Sequence, residues 1–219
     1  MKLFKAKKEE CEKQVAELIE ELLTEKIKEK SKVVFAIPGG RSVSGIFELL
    51  KKKNIDWKKA HVFMVDERYV PLDHEESNFK LGYETFLKGL IPEENLHPYK
   101  IEKSLEKYAE ELKNVGGVFD VVLLSSGEDG HVAGVYPEHH SIENEEEGFI
   151  YMDDSPKPPS ERVTASKKLI KKSAHAILLF FGEGKKEALK NYLDENKTEF
   201  ESPNKIVNEC ENKYVFTDI

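Results

Sequence analysis

The segment GEDGH (127–131) sets a carboxylate, Asp129, two residues before an imidazole, His131, in a stretch that two glycines allow to turn sharply. Histidine titrates near neutrality, so it can take a proton from water and hand it on to a leaving group; a nearby aspartate can orient it. That is equipment for general acid–base chemistry. Ser125 and Ser126 lie just upstream but not in a G-x-S-x-G elbow, which argues against a serine nucleophile. Taken alone, His131 would serve equally well as a cap for a following helix.

Cations are the second signal. Of 34 basic residues 31 are lysine, and the three arginines are Arg41, Arg68 and Arg162. Lysine suffices for solubility, so each arginine points to a use of the guanidinium fork, which grips phosphate or carboxylate through two parallel bonds. Arg41 stands in PGGRS (38–42), Arg68 in DER (66–68), and Arg162 just after a proline-rich run; Lys185 ends GEGK (182–185). Gly39–Gly40 fits a plain tight turn, but between a strand and a helix its N–H groups also suit an anion. Asp66, Glu67 and Arg68 read equally as a local ion-pair network. GEGK is too short for a P-loop and lacks the hydroxyl after lysine, so nucleotide binding is disfavoured. His139–His140 has no second pair at ligand spacing and reads as surface loop rather than a metal centre.

These residues are strung between alternating helices and strands. Apolar spacing predicts helices over 7–30, 43–53, 78–89 and 104–114, and one from GEGK to about 194. Strands are predicted at 33–37, 61–65, 119–124, 148–152, around 163–166, at 174–181 and at 213–217, with 154–162 as a stiff extended loop and 142–148 as a solvated acidic one. The pattern implies an α/β fold: a Rossmann-like, doubly wound, mainly parallel sheet with helices on both faces, in a single domain over 1–219. Ligands of such sheets bind beyond the carboxyl ends of the strands. PGGRS, DER, GEDGH and GEGK all follow strands, so their charges converge on one edge around a small anionic ligand.

Composition narrows the partners. A formal net charge of −8 disfavours general nucleic-acid binding. No apolar run is long enough to span a bilayer, and the N-terminus lacks an apolar signal core, so neither membrane nor export is expected. Cys11 and Cys210 match no metal or redox spacing and read as reduced, cytoplasmic thiols. Abundant lysine and glutamate with a single glutamine, Gln14, point towards a thermophilic source.

VDERYVPLDHEESNF (65–79), GEDGHVAGVYPEH (127–139), DSPKPPSERVT (154–164) and FGEGKKEAL (181–189), in this order and over nearly the whole chain, resemble the 6-phosphogluconolactonase family. One block departs from it: PGGRS stands where that family carries a serine-glycine-glycine-serine type loop, so Pro38 and Arg41 replace hydroxyls. The resemblance implies hydrolysis of 6-phospho-D-glucono-1,5-lactone without metal or other cofactor. His131 would be the base and Asp129 would orient the site. Arg68, Arg162 and Lys185, with Arg41, would meet the phosphate and neighbouring oxygens, although Arg68 suits the reacting carbonyl as well. The Gly39 and Gly40 N–H groups would hold the oxyanion, and Asp66 and Asn78 the sugar hydroxyls. A monomer or small homo-oligomer is expected.

Two rivals stand beside this reading. Glucosamine-6-phosphate deaminases share the D-G-H loop but typically carry DEY and an AFNEP-like run where this chain has DER and VAGVYP. A non-catalytic sugar-phosphate sensor would usually carry an N-terminal DNA-binding module, for which one long helix before the first predicted strand leaves no room.

Overall fold

In the computed structural model, which describes residues 2–219 apart from the side chains of Lys2 and Arg41, β1 (Lys2–Lys5) is followed by α1 (Lys8–Glu29), β2 (Val33–Ile37), α2 (Ser44–Leu50), β3 (Ala60–Met64) and β4 (Asp66–Arg68). Next come α3 (Asn78–Gly82), β5 (Leu96–His97), α4 (Leu105–Val115), β6 (Val121–Ser125), α5 (His140–Glu143) and β7 (Phe149–Met152). The chain closes with β8 (Arg162–Ala165), α6 (Lys167–Lys171), β9 (His175–Phe180), α7 (Lys186–Leu193) and β10 (Asn212–Thr217). Among the described residues, seven strands form a parallel sheet in the order β1-β10-β9-β6-β2-β3-β5.

Both faces of this sheet are covered, which is why its central strands β2, β6 and β9 read as nearly continuous apolar runs. In β2, Val33, Phe35 and Ile37 join the core formed with α1 and α2. Val34 and Ala36 point the other way, into a core with Tyr108 and Leu112 of α4, Leu169 of α6 and Ala188 of α7. Helix α1 turns Cys11, Val15, Ile19 and Leu23 inward, with Glu9 and Glu10 in its first turn and Lys26 and Lys28 in its last, each matching the helix dipole.

The structure adds elements the patterning did not announce. Strand β1, with lysines at both ends, precedes α1 and lies beside β10, so the strand at 33–37 is the second of the chain. The helix expected over 78–89 is α-helical only to Gly82 and continues as a wider π turn, Tyr83–Leu87. That turn seats Phe86 on Phe47 and Trp57, with ring centroids 4.9 and 5.4 Å apart. Most consequential is a separate antiparallel sheet, β4-β8-β7. The proline-rich stretch joins β7 to β8 as a long hairpin connection, with Met152 paired to Arg162. Strand β4, where no strand is predicted, pairs with the other side of β8 and sets Arg68 directly opposite Arg162.

Candidate active site

Loops beyond β2, β3, β6 and β9 surround a cleft of about 390 Å³. Gly39, Gly40, Asp66, Arg68, Asn78, His131, Arg162 and Lys185 all line it. Asp129 stands behind His131 rather than on the wall. The side chain of Arg41, expected at the phosphate, lies outside the described residues.

The loop after β6 is built around its imidazole. Gly127 N–H donates to His131 O (2.7 Å) and Gly130 N–H to Gly127 O (3.2 Å), closing a tight ring of backbone. Gly130 has φ +90°. A Cβ on Gly127 would run into the His131 ring, so the glycine is demanded by contact with the histidine itself. Val132–Val135 then makes a tight turn, and the next helix begins only at His140. His131 therefore caps no helix. Its Nδ1 lies 2.5 Å from Asp129 Oδ1, which also accepts the His131 backbone N–H at 3.1 Å. Asp129 Oδ2 faces Lys157 Nζ at 3.3 Å. Burial pushes the Asp129 carboxyl up, but the His131 bond and the charges of His131 and Lys157 outweigh it, holding the group well below the usual carboxylate range. An ionised Asp129 keeps the ring proton on Nδ1 and leaves Nε2 as the lone pair, the arrangement a general base needs.

The small sheet gathers the arginines. Like charges directly opposite on paired strands repel, so Arg68 and Arg162 require compensation. Arg68 donates from Nη1 to Glu76 O (2.6 Å), while its Nε is buried without a hydrogen-bond partner among the described residues. Arg162, 5% exposed, spends most of its fork on the proline-rich loop: Nε reaches Pro159 O (3.2 Å) and Nη2 reaches the carbonyls of Lys157 (3.3 Å) and Pro158 (3.2 Å). Only Nη1 is left for the cleft, 3.7 Å from Asp66 Oδ2. The sequence reading gave Arg162 to the ligand alone; the geometry makes it the anchor of a loop as well. Lys185 donates to Ser126 O (2.5 Å), and burial pushes its ammonium down.

Glu67 supports this wall from behind. Its two oxygens accept from the N–H groups of Arg68, Asn78 and Phe79, each at 2.7 Å, and from Ser77 Oγ at 3.2 Å. Burial pushes the carboxyl up to about 7 against those backbone donors. Asn78, so positioned, donates to Asp66 O (3.0 Å), and a Cβ on Gly39 would collide with it. DER is therefore both network and site: Glu67 is structural, while Asp66 and Arg68 face the cleft.

Four contributors escaped sequence reasoning. Ser42 and Ser125 line the cleft with hydroxyls 3.0 Å apart, so the wall that PGGRS seemed to have lost is rebuilt one residue after Arg41 and from β6. Lys157 adds a cation from the SPKPP stretch, the one signal that could have marked it. Asn204, fully buried, donates from Nδ2 to Ser126 Oγ (3.1 Å) and from its backbone to Gly130 O (2.9 Å), bracing the His131 loop with no local signature at all.

Comparison with known proteins follows the same lines. The family model for glucosamine-6-phosphate isomerases/6-phosphogluconolactonase matches residues 6–216. A 6-phosphogluconolactonase of Borreliella burgdorferi is 34% identical over 193 residues, covering 84% of this chain and 82% of the relative. Against the longer chloroplastic 6-phosphogluconolactonase 3 of Arabidopsis thaliana, identity is 35% over 187 residues, 76% of this chain and 58% of that one. The crystal structure of 6-phosphogluconolactonase from Thermotoga maritima superposes with a TM-score of 0.89 at 27% identity, over 100% of this chain and 99% of that chain.

Proposed function

The chain belongs to the glucosamine-6-phosphate isomerase/6-phosphogluconolactonase family, and on that premise we propose that it hydrolyses 6-phospho-D-glucono-1,5-lactone to 6-phospho-D-gluconate, in the oxidative branch of the pentose phosphate pathway. The observation that carries this reading is the His131–Asp129 pair, 2.5 Å apart, in one cleft with Arg68, Lys157, Arg162 and Lys185.

A lactone is an ester whose carbonyl is open to water, so the protein has three tasks. It must hold the phosphorylated sugar, deprotonate a water and stabilise the tetrahedral oxyanion. The cations that line the cleft, Arg68, Lys157, Arg162 and Lys185, anchor the phosphate, Arg162 through the Nη1 that otherwise faces Asp66. His131 Nε2 accepts a proton from water as its oxygen attacks C1. Asp129 then stabilises the imidazolium at Nδ1. The Gly39 and Gly40 N–H groups, taken up by no hydrogen bond among the described residues, receive the oxyanion. When the intermediate collapses, the C1–O5 bond breaks and the same imidazolium returns its proton to the departing ring oxygen. Asp66 and Asn78 meet sugar hydroxyls, and Ser42 and Ser125 supply hydroxyl contacts in place of those lost at Pro38 and Arg41. The whole chain acts as one domain of this kind, as a monomer or small homo-oligomer in the cytoplasm. In support, no described helix is long and apolar enough to cross a membrane.

A coupled assay tests the proposal. Glucose-6-phosphate dehydrogenase generates the lactone in place, and phosphogluconate should appear faster with the protein than in a protein-free control, because the lactone also opens spontaneously. A rate equal to the control refutes the reading. Ammonia release from glucosamine 6-phosphate should be absent; its presence would assign the cleft to the deaminase branch of the family.

A further inference from the structure

Outside the cleft, three side chains meet that neighbouring sequence alone does not bring together. His139 Nε2 lies 3.3 Å from Asp154 Oδ1, and His140 Nε2 lies 2.8 Å from the same oxygen. One donor atom from each residue falls within 4.8 Å of the others. His139 Nε2 is buried and makes no hydrogen bond among the described residues despite the nearby carboxylate, so this nitrogen is left for a ligand. None of the three lines the cleft. We infer that His139, His140 and Asp154 form a binding site for one divalent transition-metal ion of the zinc class.

The chemistry selects the ion. Two imidazoles and one carboxylate are the donor set of three-ligand zinc sites that keep a fourth, open position. Calcium and magnesium prefer all-oxygen shells and are excluded by the two nitrogens. Tetrahedral ligands at zinc distances sit about 3.4 Å apart, so small rotations of the exposed His140 and Asp154 side chains complete the geometry. A metal-bound imidazole carries its remaining proton on the far nitrogen and needs an acceptor there. For His139 that acceptor is Ser141 Oγ, 3.0 Å from Nδ1. Gaining it costs the weaker bond that Nδ1 now accepts from Ser141 N–H at 3.2 Å.

The site has a structural consequence. His139 ends the segment that begins at His131, and its ring meets Tyr136, whose own ring lies 4.9 Å from His131. Asp154 opens the proline-rich loop that carries Lys157 and whose carbonyls hold Arg162. A bound ion ties together two loops that both border the cleft. The pair on its own, at adjacent positions, is a surface feature; the third ligand, fourteen residues further on, makes it a site.

The test uses the full chain, stripped of metal with a chelator, and zinc titrated against a chromophoric competitor. One zinc per chain should bind, and His140→Ala and Asp154→Asn should each weaken binding by about 10-fold or more. Both residues are more than half exposed, so the variants should melt like the parent without metal, and only the parent should gain melting temperature from zinc. His131→Ala should bind zinc unchanged. Absence of stoichiometric zinc, equal affinity in the His140 and Asp154 variants, or loss of binding in His131→Ala would each overturn the assignment.

Discussion

His131 and His97 both rest on a carboxylate, yet their surroundings assign them opposite work. His131 pairs with Asp129 at 2.5 Å at the open, carboxyl end of the sheet, and its second nitrogen is left to the cleft. His97 sits on the edge strand β5, stacked on Phe63 with centroids 4.2 Å apart. Its Nδ1 lies 3.4 Å from Glu111 and its Nε2 lies 3.0 Å from His61 Nδ1. Both of its nitrogens are engaged by the protein, so no lone pair remains for a substrate. Burial pushes His97 down, opposed by Glu111, and pushes His61 down to about 4, reinforced by the His97 charge. An imidazole can act as a base only where the fold withholds a second partner from one of its nitrogens.

The widest separation between the two clusters should appear in turnover. His131→Ala is expected to lose roughly 10²–10⁴-fold in kcat, whereas His97→Gln should keep kcat near the parent value in the same coupled assay. Similar losses in both would dissolve the contrast.

A carboxylate can also be split from the chemistry it supports. Glu67→Gln replaces one of two oxygens that together accept four donors, setting an amide N–H₂ against backbone N–H groups. Stability should fall by about 1–3 kcal/mol, read from the urea midpoint, with a rise in KM as Arg68 and Asn78 loosen. An unchanged midpoint would remove Glu67 from the supporting wall.

Arg162→Lys keeps the charge and discards the fork that holds three loop carbonyls. KM should rise about tenfold, the equivalent of one charge-assisted bond near 1.4 kcal/mol, with a smaller change in kcat. A constant KM would mean that the residue anchors the loop and nothing else.

A pH dependence belongs to the buried pair. His61 is held neutral when folded, with its pKa below the unfolded value of 6.5 and near 4. Between those values the unfolded chain binds more protons, so stability is full above about 6.5 and declines as pH falls towards 4. His61→Gln should flatten that slope in urea midpoints measured between pH 4 and 7. A slope retained in the variant would place the acid sensitivity elsewhere.

Much of this was legible before any coordinates. The strand runs at 33–37, 121–124 and 176–181 are buried on both faces, and uninterrupted apolar composition announces that condition directly. Asp129 and His131 are two residues apart, and a loop closed by Gly127 and Gly130 can hardly keep them from meeting. Less visible was β4: three charged residues carry no strand signal, and they pair only because β8 offers an edge. Asn204 reaches Ser126 across 78 positions of chain, and Asp154 reaches His140 across fourteen; neither contact has a local cause.

What the amino-acid order determined by itself is everything governed by short spacing: the alternating elements, the edge where charged loops gather, and the acid beside its imidazole. Only the tertiary structure decided how each charge is used. It faced Arg68 with Arg162 through strand register, spent most of the Arg162 fork on carbonyls, and restored a hydroxyl wall from Ser42 and Ser125. The reason is physical. A donor's role depends on which partners remain unsatisfied after packing, and those partners come from distant segments whose meeting no local pattern encodes.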